Sequence, residues 1–225
     1  MLPECETFVY KLKGGQHKRI ALVTGDIRAV KVADIWVNSE NTNMQMARYY
    51  ERSISGIIRY LGATKDIAGN VTEDTIANEL AQVMGSNLIV HPTSVLVTGA
   101  GGLQKTHNVK KIFHVAAVYG EIGFGYRPIN NIEACITNCL IKADSEGFSN
   151  LGLKSILFPL MGTGVARGNL EEIAERLIRA AVSYMETTKN SMIECAYFLT
   201  STDVELETCK AILGKYDKLV FSQSA

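Results

Sequence analysis

Seven short runs, TFVYKL, RIALVTG, DIWVN, SVLVTG, KIFHVAAV, SILFPLM and CAYFLT, constrain this chain most, because each is nearly continuous in apolar or β-branched residues and helical patterns separate most of them. Strands that are apolar on both faces need cover on both faces, and intervening helices can supply it. The pattern predicts a three-layer α/β/α fold, a mixed and mostly parallel sheet of six to seven strands flanked by helices. Across residues 44–61, Tyr50, Ile54, Ile57, Ile58 and Leu61 recur at helical spacing and leave Arg48, Arg52 and Arg59 on other faces, which predicts an amphipathic helix. A second helix is expected over 71–84, with Ile76, Leu80 and Val83 inward and a cap at Asn70 three residues before Glu73. Residues 128–145, 170–186 and 203–214 complete the set.

At 225 residues, with no repeat and no evident linker, the expectation is one domain spanning 1–225. Lys plus Arg number 23 and Asp plus Glu 23, so no global field draws the protein to nucleic acid or an anionic membrane, and any anion must be bound locally. Five cysteines, an odd number set inside apolar segments, read as reduced thiols rather than a disulfide framework. Cys135 and Cys139 lie one helical turn apart without a second ligand pair, so they read as core, and neither metal nor cofactor is expected. The N-terminus has acids where a signal peptide needs bases, and no apolar run reaches about 18 residues. The expectation is a soluble, cytoplasmic protein.

In covered sheets of this kind ligands bind beyond the carboxyl ends of the strands. Gly25-Asp26-Ile27 follows one run, Asn38-Ser39-Glu40-Asn41 another, Gly99 to Gly102 a third, and Gly162-Thr163-Gly164 the SILFPLM run. After the last of these, Asn169-Leu170-Glu171-Glu172 has the form of a capped helix start, so a strand leads through a bare loop to a helix N-terminus, a natural anion site. The loop sits too late in the chain for a Rossmann fingerprint, and no Lys-Ser or Lys-Thr closes it as a Walker loop would. Asp26 reads equally as the cap of a short helix or as an acceptor for an exocyclic amine such as that of adenine. Asn38 and Asn41 read as turn formers or as partners of a sugar diol, and His114 as a hydrogen-bonded structural histidine.

The ordered set resembles the macro domain, the ADP-ribose-binding module, from about Ile20 to Leu213. GDI at 25–27 matches the family's first motif, and DIWVNSEN at 34–41 is similar to its "DaIVNaAN". SGIIRYLGA at 55–63 resembles "dGAIhraaG", VTGAGGL at 97–103 the "iTgGgnL" segment, KKIFHVAAV at 110–118 "kyvIHtVgP", and LKSILFPLMGTGVARG at 153–168 "ykSIAFPaistGvyG". The resemblance implies that Asp26 accepts from the adenine amine while the Ile27 backbone supports the ring, and that Asn41 contacts the distal ribose. It also implies that the diphosphate lies between main-chain amides of Gly162, Thr163, Gly164, Val165 and Ala166 and the helical turn opened by Ser55 and Gly56. The position that usually stacks an aromatic on adenine falls at Thr200, with Phe198 close by.

Two departures stand out. The hydrolytic branch carries a glycine run and then an acid before its "GAI" helix, where this chain has TNMQMARYYERSIS, with Ser55 in the acid's place. Arg48, Tyr49, Tyr50 and Arg52 could form a lid over the distal ribose, or an ordinary helix face. The other de-ADP-ribosylating branch's lysine nucleophile and loop aspartate are also missing, since Ala166 and Arg167 occupy the loop. The primary reading is a binding module, a reader or sensor of ADP-ribose or a related NAD-derived nucleotide, free or carried on an ADP-ribosylated protein. The alternative is a hydrolase that removes ADP-ribose from proteins or deacetylates O-acetyl-ADP-ribose, with Asn41 aligning water. Neither nucleic acid nor membrane is an expected partner.

Overall fold

All seven apolar runs become strands of one sheet. The structure, a computed structural model, describes residues 4–14, 17–121, 125–164 and 169–222. The runs are β1 (Thr7–Leu12), β2 (Arg19–Thr24), β3 (Ile35–Asn41), β6 (Val95–Gly99), β7 (Lys111–Glu121), β9 (Ser155–Pro159) and β10 (Cys195–Thr200). Two further strands, β8 (Gly125–Pro128) and β11 (Leu219–Ser222), bring the sheet to nine, above the expected six or seven. The order is β11-β1-β2-β10-β9-β3-β7-β6, with β8 also paired to β7. Its centre, β2-β10-β9-β3-β7, is parallel, and the margins are antiparallel.

Helices α4 (Glu133–Ala143), α5 (Leu170–Thr187) and α6 (Asp203–Gly214) cover one face, where Phe113, Phe158, Phe198, Ile136, Leu177 and Ile212 form the larger apolar core. Helices α1 (Ile54–Gly62), α2 (Thr75–Met84) and α3 (Leu103–His107) cover the other, around Trp36, Ile58, Ile76, Leu80 and Leu103. Each buried Phe, Leu or Ile side chain contributes about 1.5–3 kcal/mol. Strand alternation assigns the faces: Ile35 and Val37 of β3 belong to the first core, and Trp36 to the second. Cys135, Cys139 and Cys209 lie in the first core, and all five cysteines are free thiols.

Three helices start later than periodicity suggests: the one expected over 128–145 begins only at Glu133, because Pro128 still belongs to β8 and residues 130–132 form a turn. Residues 44–53 are not helical. Asn41 and Asn43 side chains accept from the amides of Asn43 and Gln45 at 2.9 and 3.1 Å, and Met44 takes a φ of 53°, so side-chain turns displace the first helical turns. Ser53 then caps α1, accepting from Gly56 N at 3.2 Å. Likewise Val71–Glu73 forms β5 against β4 (Thr64–Lys65) before α2 begins. Asn70 serves the turn, donating to Asp66 through its backbone amide at 2.8 Å and its side chain at 3.0 Å, and caps nothing. By contrast α5 and α6 start where expected. Asn169 accepts from Glu172 N at 3.0 Å, and Thr202 with Glu205 forms a reciprocal capping box.

Candidate functional site

The carboxyl ends of β3, β9 and β10 open into a cleft of about 750 Å3, completed by the 44–53 segment, the start of α1, and Val118 and Tyr126 from β7 and β8. The glycine turn after β9 forms one wall. Gly162 has a φ of +86°, and a Cβ there would stand 3.2 Å from Pro128, so the backbone demands glycine. Among the described residues nothing lies within 4 Å of a Cβ built at Gly164. Among the described residues the amides of Gly162 and Gly164 have no acceptor, whereas the Thr163 amide bonds Leu160 O at 3.3 Å and its hydroxyl the same oxygen at 2.7 Å. Thr163 thus closes the turn rather than offering its N–H. Val165 and Ala166 lie outside the described residues.

The start of α1 forms the facing wall. Gly56 N, expected to face phosphate, is taken by the Ser53 cap, leaving the Ile54 and Ser55 amides without acceptors among the described residues. Both residues line the cleft, so the helix N-terminus still presents donors to it. Gly56 is a packing glycine: a Cβ there would meet Glu51 O at 2.5 Å and Arg48 O at 2.7 Å. That close approach holds the Arg48–Glu51 turn on the helix. Arg59 pins the same segment from below, donating to Met46 O and Ala47 O at 3.2 and 3.0 Å while its Nε bonds Asp74 at 2.7 Å.

Of the proposed lid residues, Arg48 and Arg52 line the cleft. Tyr49 and Tyr50 are outside its lining and exposed, edge to face at 5.8 Å, and Arg48 donates to the Tyr50 hydroxyl at 2.8 Å. Leu199, Ser201 and Glu205 line the part of the wall that follows β10, where the resemblance implied an aromatic. Phe198 is not available for stacking. Strand alternation turns it into the opposite core, fully buried and stacked on Phe158 at 5.7 Å. Thr200 is buried with its hydroxyl on Val23 O at 3.2 Å. Asp26 caps the short turn Ile27–Ala29 through Arg28 N at 2.9 Å and binds the Arg28 guanidinium at 2.9 Å, bonds that hold its carboxyl below the usual range. Ile27 is buried in the second core, and neither residue lines the cleft.

The floor is β3. Asn41 lines the cleft, its Oδ1 accepting from Asn43 N, and a bulge lies between Glu40 and Asn41. Bulges re-aim side chains, and this one lets two consecutive residues face the same space. Asn38 is fully buried and sits beside His114 in the β3–β7 register. Its Nδ2 donates to Glu40 Oε1 at 2.5 Å, to His114 Nδ1 at 3.2 Å and to Ser55 Oγ at 3.4 Å, while its Oδ1 has no partner among the described residues. His114 Nε2 lies 3.0 Å from Thr98 Oγ1, whose hydroxyl donates to Gly99 O, so the imidazole is neutral with its proton on Nε2. Burial pushes its pKa down to about 3.

Sequence reasoning missed Glu40. It is 4% exposed, accepts from Ser55 Oγ at 2.8 Å as well as from Asn38, and lines the cleft. Burial raises its carboxyl to about 7 against the opposing pull of those two bonds and of Arg59. Ser55 Oγ in turn accepts from Ala47 N at 3.1 Å. The available signal was period two: Trp36, Asn38 and Glu40 share one strand face, and the last holds a carboxyl where the resembled motif has alanine.

A model of the macro domain family matches residues 37–177. An uncharacterised protein of Pyrococcus furiosus is 29% identical over 173 residues, which is 76% of this chain and 85% of its own length. Among solved structures, the Oceanobacillus iheyensis macrodomain with ADP has a TM-score of 0.66 at 16% identity, covering 94% of this chain and 97% of that one. The Trypanosoma brucei macrodomain in complex with ADP-ribose has a TM-score of 0.62 at 17% identity, covering 85% of this chain and 68% of its own. These two share the fold.

Proposed function

This chain belongs to the macro domain family, and on that premise we propose that it binds ADP-ribose, or a related NAD-derived nucleotide, in the cleft at the carboxyl ends of the strands, as a reader or sensor. The observation that carries the reading is the pair of amide-bearing walls: N–H groups of Gly162 and Gly164 on one side and of Ile54 and Ser55 on the other, none with an acceptor among the described residues, in a cleft of about 750 Å3. Main-chain donors at a glycine turn and a helix N-terminus favour a doubly charged diphosphate without any lysine. Relatives of the same fold were solved with ADP and with ADP-ribose. The distal ribose then lies by Asn41, under Arg48 and Arg52. The base lies at the end lined by Leu199, Ser201 and Glu205. Asp26 reaches the adenine amine by releasing Arg28. The ligand is free or carried on an ADP-ribosylated protein.

Titration calorimetry tests this. ADP-ribose binds, and AMP binds much more weakly because it lacks the second phosphate and the distal ribose. Equal affinities would remove the diphosphate from the argument. Gly164→Glu places bulk and negative charge against the proposed diphosphate, so the variant keeps its thermal transition and loses the ligand-induced rise in it.

A further inference from the structure

The polar seam beneath the cleft is short of donors. Among the described residues both donors to Glu40, Asn38 Nδ2 at 2.5 Å and Ser55 Oγ at 2.8 Å, end on Oε1, and Oε2 has no partner. Yet the side chain is more than nine-tenths buried and lines the cleft. Asn38 lines it too, and its Oδ1 is likewise buried without a partner among the described residues. Nor does any described cation form an ion pair with Glu40. Arg59 spends its guanidinium on Asp74, Met46 O and Ala47 O. A buried carboxylate in that state is completed by a positive charge that brings its own donors. A guanidinium does this, with several N–H groups in one plane. We propose that Glu40 selects what the distal ribose carries, so that the cleft takes ADP-ribose joined to the guanidinium of an arginine side chain on a modified protein.

The inference rests on the reading above, which sets the distal sugar beside Asn41; the bulge after Glu40 turns both residues to that space. A link through arginine places N–H donors and a full charge next to the sugar. A link through serine, aspartate or glutamate places only oxygen acceptors there, and against an ionised Glu40 these find no donor. Burial brings Glu40 to about 7, so the selection sharpens as pH rises past that value. The titratable or charged groups around it are the neutral His114 on β7, Arg59 on α1 with its partner Asp74, and Arg48, Glu51 and Arg52 at the exposed rim. Solvent screens the rim charges more than it screens the buried carboxyl, so Glu40 sets the sign of the field at its own oxygen.

The test uses the full chain and titration calorimetry with free ADP-ribose and with two peptides, matched in length and net charge, that carry ADP-ribose on arginine in one and on serine in the other. Wild type prefers the arginine-linked peptide by about tenfold or more at about pH 8. The preference shrinks toward unity at about pH 5.5, where Glu40 is protonated and the guanidinium still charged. Glu40→Gln keeps the shape of the acid without its charge and loses the preference at both pH values. Equal binding of the two peptides by wild type at about pH 8, or a preference that persists in Glu40→Gln, overturns the role of Glu40 and leaves the binding reading standing. A wild-type preference that does not move with pH overturns it equally, with no substitution needed. Failure of wild type to bind free ADP-ribose overturns both.

Discussion

Toward α4, α5 and α6, strands β3 and β7 present Ile35, Val37, Phe113, Val115 and Ala117; toward α1, α2 and α3 the same strands present Trp36, Asn38, Glu40, Ile112 and His114. The first face is closed by volume alone. The second carries a chain of hydrogen bonds from Thr98 through His114 and Asn38 to Glu40 and Ser55, which ends at the cleft. Neighbouring residues of one strand thus obey different rules. An odd-numbered position is judged by fit, and an even-numbered one by whether every buried polar atom finds a partner. A sheet buried on both faces can thus still be a site on one of them, provided the other holds it in place.

The largest expected effect belongs to the apolar face. Phe158→Ala removes a fully buried ring stacked on Phe198 and lowers unfolding free energy by about 3–5 kcal/mol. Urea denaturation at about pH 5 and about pH 8 should give the same loss, and a pH-dependent loss would break the contrast between the faces.

The polar face should answer to protons instead. Glu40 titrates at about 7 folded against an ordinary 4.5, so the folded chain holds a proton that the unfolded chain has lost, and stability falls as pH rises between those values. His114 titrates at about 3 folded against 6.5, so stability rises with pH up to 6.5. The two slopes, about 1.4 kcal/mol per pH unit each, oppose one another where the windows overlap. Glu40→Gln removes one of them. Its stability relative to wild type should be unchanged below pH 4.5 and grow to about 3 kcal/mol in favour of the variant above pH 7. Parallel curves for variant and wild type would show that the carboxyl is solvated after all.

Smaller changes sharpen the boundary between seam and cleft. Gly56→Ala sets a Cβ within 2.5 Å of Glu51 O and should cost about 1–3 kcal/mol by lifting the 48–51 turn from α1. Its loss of ligand affinity should exceed its loss of stability, as calorimetry and thermal melts together would reveal. Arg48→Ala, at the exposed rim, should change stability by less than about 0.5 kcal/mol. It should nonetheless alter the ranking of ADP-ribose against derivatives substituted on the distal ribose. An unchanged ranking would make Arg48 surface only.

Elements with an uninterrupted periodic signal were legible. The seven apolar strands, α5 with Asn169 before it, and α6 needed no tertiary information. The marginal strands β8, GYRP, and β11, LVFS, lack that signal because each is short and partly exposed, and pairing alone makes them strands. The false first half of the helix over 44–61 has a local cause, since Asn41, Asn43 and Ser53 satisfy amides that helical carbonyls would otherwise take. In the site, the Gly162–Gly164 turn and Asn41 were legible as residues ending a strand. Glu40 was not, because a glutamate between Ser39 and Asn41 looks like a solvated turn until Ser55, Asn38 and Ala116 enclose it. Phe198 failed for the converse reason: one residue along a strand exchanges the cleft for the opposite core.

The pairing of β1 with β11 sets Val9 opposite Ser222 and Leu12 opposite Leu219. No hairpin can template that contact, because nearly the whole chain must already be in place before its two partners meet, and closure of so long a loop is entropically slow. The outer edge of the sheet should therefore be the last part to assemble and the first to exchange its amide hydrogens, while β3, β7 and β9 under the cleft retain theirs to the limit of global unfolding. Time-resolved hydrogen exchange would read this as a protein that unravels from one lateral edge of its sheet, keeping the cleft intact while that margin breathes.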